Sequence, residues 1–147
     1  MRYFSHLNEV AYAGLARRLA AMVYDLLLVL AVLFVFGLIG VGISDGDANE
    51  SLLFKLGVWV VPFVFYSYFW RKSGQSLGML AWQLRIQTLE GQPISQLQVF
   101  LRLIAALVSW ACLGLGYWWI LFDKEKRSWP DIFSNTQTVL LPKRKKN

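Results

Sequence analysis

Three long apolar stretches constrain the fold of this chain more than any other feature of its sequence. They run from Leu19 to Ile43, from Leu52 to Trp70 and from Val99 to Phe122, and each contains a single charged residue. A helix that crosses the hydrocarbon core of a bilayer needs about 20 predominantly apolar residues. The first stretch is also too long for the apolar region of a signal peptide. The sequence therefore predicts an all-α membrane protein whose first two stretches are retained transmembrane helices.

Composition agrees with one membrane domain over residues 1–147, because 56% of the residues are hydrophobic and only 16% are charged. The net charge of +6 does not predict a nucleic-acid partner, since the Lys and Arg residues cluster just outside the apolar stretches. The chain has one cysteine, Cys112, and one histidine, His6. This excludes an internal disulfide and argues against a His- or Cys-based metal or catalytic site. We therefore expect a lipid bilayer as partner, no cofactor, no metal and no enzymatic activity.

The distribution of charge predicts how the first two helices are oriented. Arg17 and Arg18 precede the first stretch, and Arg71 and Lys72 follow the second. The loop between them, residues 44–51, carries three acidic residues and no Lys or Arg. Cytoplasmic loops carry the excess of Lys and Arg. We therefore expect a multi-pass protein of the bacterial cytoplasmic (inner) membrane, with its N-terminus in the cytoplasm and the acidic loop outside.

The segments outside the membrane have simpler patterns. Residues 1–18 mix apolar and polar side chains, which favours a short helix at the membrane interface. Residues 73–96 form a predicted cytoplasmic segment, and residues 84–89 within it alternate like a strand. A second strand-like run, residues 136–141, lies in the basic C-terminal segment 123–147. Because a lone strand lacks backbone partners, these two runs are predicted to pair as a small cytoplasmic two-stranded element.

The third apolar stretch, residues 99–122, admits two interpretations. A simple crossing would export the basic residues that follow it, including Lys143 to Lys146, and would separate the two strands. A re-entrant hairpin that turns back at Gly114 to Gly116 removes both problems, provided that it packs against the first two helices. Charge asymmetry favours the hairpin and a cytoplasmic C-terminus, and a third spanning helix stays as the alternative.

Two charged residues of the apolar stretches are candidates for function. Asp25 lies inside the first stretch, where a carboxylate is costly and therefore a candidate functional group. Arg18 precedes it by seven residues, so the two side chains share a helix face about 10 Å apart. They are too distant for a direct pair, but both suit one polar seam between helices. Arg102, inside the third stretch, either extends to the interface or compensates the charge of Asp25.

Several short motifs, in this order and spacing, resemble the RDD family of small membrane proteins, which is named for one Arg and two Asp. The resemblance covers nearly the whole chain and lies in Ala13 to Asp25, Gly74 to Gly78, Leu84 to Ile86 with Glu90-Gly91, Arg102, and Ser128 to Val139. It implies that Arg18 is the family arginine and that Asp25 and Asp131 are the two aspartates. The chain departs from the family pattern at Met79, where a Lys is frequent, and at Pro130, where a His is frequent.

The resemblance also implies a function, since transport of unidentified ligands is proposed for the family and sodium/proton exchange is suggested for some members. We expect transport of a small cation or solute through a homo-oligomer, with Asp25 as the protonatable or ion-coordinating group. The alternative is a scaffold or assembly factor in which Arg18, Asp25 and Asp131 form a charged triad that fixes the fold. Asp131 either meets Arg18 in that triad or only caps a turn by accepting backbone N–H groups. Asp25 is either an ion site or a carboxylate held by Tyr or Ser hydroxyls.

Overall fold

A computed structural model describes residues 11–45, 47 and 49–142 of the chain. Its helical elements are α1 (Leu15–Ile43), α2 (Leu52–Ser73), α3 (Leu77–Ala81), α4 (Gln96–Ala111), α5 (Leu115–Trp118), the 3-10 helix η1 (Trp119–Leu121) and α6 (Trp129–Phe133). Its strands are β1 (Ala11–Tyr12), β2 (Leu84–Thr88) and β3 (Thr136–Leu140). Two of the helices, α1 and α2, are long and apolar enough to cross a membrane. This confirms the predicted class, a mostly helical membrane protein with a small strand element.

The two spanning helices leave most of their large apolar side chains exposed, as expected for helices that contact lipid. Their contact at the end near the acidic loop depends on two aromatic rings and two glycines. The rings of Phe36 and Phe54 stack with centroids 4.9 Å apart. Each ring lies so close to a glycine of the other helix, Phe54 to Gly40 and Phe36 to Gly57, that an added Cβ atom would overlap it. Small residues thus allow this end of the helix pair to pack closely.

Local capping groups set the ends of α2 and α4, the helices on either side of residues 74–95. Ser51 begins α2, and its hydroxyl accepts a hydrogen bond from the Phe54 N–H at 3.2 Å. Gly74 ends α2 in a left-handed conformation, with φ of 68°, which glycine adopts without strain. Ser95 begins α4 with a complete capping box that includes Gln98.

The third apolar stretch is broken, as predicted. Helix α4 ends at Ala111, and Leu113 and Gly114 both have positive φ values, 57° and 77°. The following segment, Leu115–Leu121, is bent by 105° from α4. An added Cβ atom on Gly116 would overlap the Ser109 hydroxyl and come within 2.9 Å of the Trp129 ring, so this turn is tightly packed. Cys112 is exposed at the turn.

The strands form one antiparallel sheet in the order β1-β3-β2. Leu84 pairs with Leu140 and Thr88 with Thr136, so the predicted pairing of residues 84–89 with 136–141 is confirmed. Strand β1 adds a third, short partner that the sequence did not predict. Because residues 11–12 form this strand and α1 begins at Leu15, the described part of the N-terminal segment forms no separate interfacial helix. Residues 1–10 and the basic tail, residues 143–147, lie outside the described residues.

The sheet fixes the position of the C-terminal strand relative to the spanning helices. Strand β1 directly precedes α1 and β2 follows the end of α2, so β3 between them lies at the same end of the helix pair. The hydrophobic core forms where this sheet meets the helices. It consists of Ala13, Ala21, Trp70, Met79, Leu84, Ile86, Ile94 and Val99.

Candidate functional site

Helix α1 buries two charged side chains on one face. Arg18 and Asp25 are buried there together with Ala21 and Val29, at intervals of three and four residues. The seven residues between the two charges correspond to about 10 Å along the helix axis. The face therefore presents two separate polar positions rather than one.

The first position is built around Arg18, whose guanidinium joins distant parts of the chain. It forms an ion pair with Asp131 of α6 and donates hydrogen bonds to the Ala13 carbonyl at 3.1 Å and the Lys126 carbonyl at 2.6 Å. A further bond of 3.3 Å reaches the carbonyl of Thr138 in β3. Arg18 thus connects the start of α1 to the C-terminal part of the described chain.

Asp131 accepts hydrogen bonds from five donors, which explains how a fully buried carboxylate can be tolerated. One oxygen accepts from Arg18, from the Ser128 N–H at 3.1 Å and from the Ser128 hydroxyl at 3.1 Å. The other accepts from Arg102 at 2.7 Å and from the Thr138 hydroxyl at 2.9 Å. Both predicted roles are therefore present, because Asp131 meets Arg18 and also caps the turn that begins α6.

The charge state of Asp131 follows from these contacts. Burial raises its pKa, but the positive charges of Arg18 and Arg102 and the hydrogen bonds from Arg18 and Ser128 outweigh that effect. The pKa of Asp131 is consequently held well below the ordinary range for a carboxyl group. Asp131 is therefore a fixed negative charge at physiological pH.

Arg102 is the third member of this cluster. Its guanidinium pairs with Asp131 and donates to the hydroxyls of Thr136 and, at 3.3 Å, Thr138. Only 5% of the residue is exposed, so the expectation that it extends to the interface is wrong. The expectation that it compensates Asp25 is also wrong, because its carboxylate partner is Asp131. We call Arg18, Arg102 and Asp131 the charge cluster, and its formal charge is +1.

The second polar position on α1 holds Asp25. One carboxylate oxygen accepts from the hydroxyl of Ser76 and the other from the Gly78 N–H at 2.8 Å. The carboxylate thus binds the N-terminal turn of α3, and among the described residues no Lys or Arg forms an ion pair with it. The predicted triad is therefore divided: Arg18 and Asp131 meet, whereas Asp25 has its own neutral partners.

Gly78 makes this contact between α1 and α3 geometrically feasible. A Cβ atom added to Gly78 would overlap the carbonyl oxygen of Ala21 and lie 2.9 Å from a carboxylate oxygen of Asp25. The two backbones are therefore in direct contact, as small residues allow at helix interfaces. Any larger residue at this position would separate Asp25 from its donors.

A sequence model of the RDD family matches residues 12–135. This range contains most of the chain and all of the residues that carried the resemblance to that family except Thr136 to Val139. The chain belongs to the RDD family. Comparisons with curated proteins and with solved structures give no match.

This RDD protein has a cavity of about 850 Å³ between α1, α2 and α4. Arg18, Asp25 and Arg102 line the cavity, and Trp70 and Tyr66 of α2 face them. The remaining lining is mostly apolar, from residues such as Leu19, Met22, Phe63, Leu103 and Leu107. A large apolar cavity with a few convergent polar groups is typical of a ligand site. Among the described residues, no group of three or more His, Cys, Asp or Glu side chains suits a metal ion.

Several residues that contact the charge cluster or Asp25 were not singled out by sequence reasoning. Ser76 and Gly78 lie in a motif that carried the family resemblance, but nothing local indicated that they bind Asp25. Ser128 was detectable in principle, because Ser followed three residues later by an acidic residue is typical of a capping box. Thr136 and Thr138 are also two apart in a strand, which places both hydroxyls on one face.

Proposed function

We propose that this RDD protein transports a small cation or solute across the bacterial cytoplasmic membrane, with Asp25 as the group that binds a proton or cation. The observation that carries the proposal is the environment of Asp25. It is a carboxylate only 3% exposed, on the wall of a cavity between membrane helices, without a cationic partner among the described residues. We propose no enzymatic activity for the chain.

The contrast with Asp131 supports this role. Asp131 has two arginine partners and stays charged, whereas Asp25 has only the Ser76 hydroxyl and the Gly78 N–H. An unpaired carboxylate within the membrane is costly, and the cost falls when it binds a proton or a cation. Each Asp25 oxygen accepts a single hydrogen bond, so lone pairs remain for such a ligand.

We propose a homo-oligomer as the functional unit. Two spanning helices and a bent third segment provide too few walls to enclose a continuous pathway. The cavity is only partly enclosed by α1, α2 and α4, and many large apolar side chains of these helices are exposed. Further copies of the chain would supply the missing walls.

We place the sheet and both ends of the chain in the cytoplasm. Arg71 and Lys72, at the end of α2, lie at the sheet end of the helix pair, and the contact of Arg18 with the Lys126 carbonyl brings the basic loop there too. Asp45 and Glu50 lie at the opposite end of the spanning helices. This distribution agrees with the excess of Lys and Arg in cytoplasmic loops.

A non-transporting scaffold is the second candidate, and a specific observation favours it. Both polar positions on α1 join segments that are far apart in sequence: Arg18 and Asp131 are 113 residues apart, and Asp25 and Ser76 are 51 residues apart. Such contacts are sufficient to fix a fold without any role in transport. In this case the cytoplasmic sheet would bind a partner.

Ion flux in proteoliposomes tests the proposal, with the wild type compared with Asp25→Asn under imposed sodium and proton gradients. Asparagine keeps the geometry, because its amide can donate to Ser76 and its oxygen can accept from Gly78, but it cannot take up a proton. Asp47→Asn, in the acidic loop, is the matched control. Assembly is measured in parallel by size-exclusion chromatography with light scattering.

Loss of flux in Asp25→Asn, with normal assembly and normal flux in the control, is the expected result. Unchanged flux in Asp25→Asn would contradict the role of Asp25. Unchanged flux together with lost assembly would instead support the scaffold, and absence of wild-type flux for either ion would exclude a simple sodium/proton exchanger.

A further inference from the structure

Two hydrogen-bond donors at the charged end of the cavity have no partner among the described residues. They are the Nε–H of Arg102 and the indole Nε1–H of Trp70. Both residues line the cavity, and they are 5% and 7% exposed. The Arg102 guanidinium carbon lies 5.5 Å from the centre of a Trp70 ring, so the two donors belong to side chains in direct contact. The donors therefore form one local group.

Buried donors without an acceptor are unfavourable, and they are rare in folded proteins. The remaining groups of the charge cluster are well bonded: Arg102 uses its terminal nitrogens on Asp131, Thr136 and Thr138. With two guanidiniums and one carboxylate, the cluster also keeps one positive charge in excess. An anionic head group with more than one oxygen, such as a phosphate or a carboxylate, would supply an acceptor to each donor and neutralise that charge.

The rest of the cavity favours an apolar chain attached to that anion. Its wall on α2 extends from Trp59 to Trp70, eleven residues or about 16 Å along the helix. Phe63 of α2 and Leu103 and Leu107 of α4 are among the apolar side chains that line the cavity. A free inorganic anion would leave this apolar volume unused.

We propose that the cavity binds an anionic amphiphile, an alkyl chain with a phosphate or carboxylate head, whose oxygens accept hydrogen bonds from Arg102 Nε–H and Trp70 Nε1–H. The alkyl chain lies between α1, α2 and α4. Neighbouring atoms cover both N–H groups, so binding requires a small shift of Arg102 relative to the Trp70 ring. This inference names the solute class of the proposed function, and it depends on that function for transport but not for binding.

Binding to the full chain in maltoside micelles tests the inference without any gradient. Dodecyl phosphate is the probe, dodecyltrimethylammonium has the same chain with the opposite charge, and inorganic phosphate is the head alone. Trp70→Phe removes one donor and keeps an aromatic ring. Trp59→Phe is the matched control, because Trp59 lines the same cavity but is 73% exposed and is not among the unpartnered buried groups.

We expect saturable binding of dodecyl phosphate that is at least about tenfold weaker in Trp70→Phe and unchanged in Trp59→Phe, since a hydrogen bond to a charged group is removed. Equal binding of the cationic amphiphile, equal binding of inorganic phosphate, equal effects of the two variants, or no saturable binding would each overturn the inference. Binding without sodium or proton flux would leave the inference intact and would exclude sodium/proton exchange as the proposed function. Flux of either ion without dodecyl phosphate binding would support the proposed function and overturn the inference.

Discussion

Replacement of Asp131 by Asn should destabilise the protein strongly, because every contact of the Asp131 side chain comes from a donor. Its partners are Arg18, Arg102, the Thr138 hydroxyl and both the N–H and the hydroxyl of Ser128. Whichever way the asparagine amide is oriented, its NH2 group faces at least one guanidinium or backbone donor. The substitution also leaves two buried guanidiniums without a counter-charge.

The expected loss in the free energy of unfolding depends mainly on the contacts of Asp131 with the two arginines. Each hydrogen bond to a charged group contributes about 1.5–3 kcal/mol, and the two arginine bonds are the ones most affected. Removal of one partner from a buried ion pair costs about 3–5 kcal/mol, which agrees with that sum. Asp123→Asn is the matched control, because Asp123 pairs with Arg127 near the surface at 3.4 Å. Such pairs contribute about 0–1 kcal/mol.

Equilibrium unfolding by denaturant in detergent micelles measures the difference in the free energy of unfolding. A double-mutant cycle with Arg18→Met isolates the ion pair, and in that background Asp131→Asn should cost at least about 1 kcal/mol less than in the wild type. The reasoning would be refuted if Asp131→Asn lost no more stability than Asp123→Asn, or if the two substitutions were additive.

The same contact predicts a dependence of stability on pH. The pKa of Asp131 is lower in the folded protein than its ordinary value of about 3.9. Its stabilising contribution is therefore fully present above about pH 4 and is lost as the pH falls through the folded-state pKa. The difference in the free energy of unfolding between wild type and Asp131→Asn should shrink in acid below about pH 4. A constant difference down to about pH 2 would contradict the assigned charge.

Gly78→Ala places a methyl group against the Ala21 carbonyl and Asp25 and should lower the free energy of unfolding by about 1–3 kcal/mol. Gly37→Ala, whose added methyl group meets open space, should be neutral or slightly stabilising. Equal effects of the two substitutions in denaturant unfolding would contradict the contact of Gly78 with α1. A phosphatase or fluorescent reporter fused after Asn147 should report a cytoplasmic C-terminus, and activity only in the periplasm would contradict the proposed orientation.

Local patterns were sufficient to predict the spanning helices, the break in the third segment and the pairing of β2 with β3, but not strand β1. The apolar runs predicted α1 and α2 because a spanning helix needs a minimum length of apolar residues. The glycines at 114 and 116 predicted the break in the third segment, since glycine readily adopts the left-handed conformation that ends a helix. Alternation and the requirement for backbone partners predicted the pairing of β2 with β3. Spacing along α1 placed Arg18 and Asp25 on one face.

Only the tertiary structure decided which charges meet. The sequence places Arg102 in an apolar helix and Asp131 in a polar turn, but their contact depends on the bend after Ala111 and on the packing of α6 against α4. The partners of Asp25 were equally hidden, because Ser76 reaches it through the close approach of α1 and α3 at Gly78. Side-chain pairs separated by 29 to 113 residues depend on packing in three dimensions. Periodicity along the chain reports only which face of an element is buried, not what lies against that face.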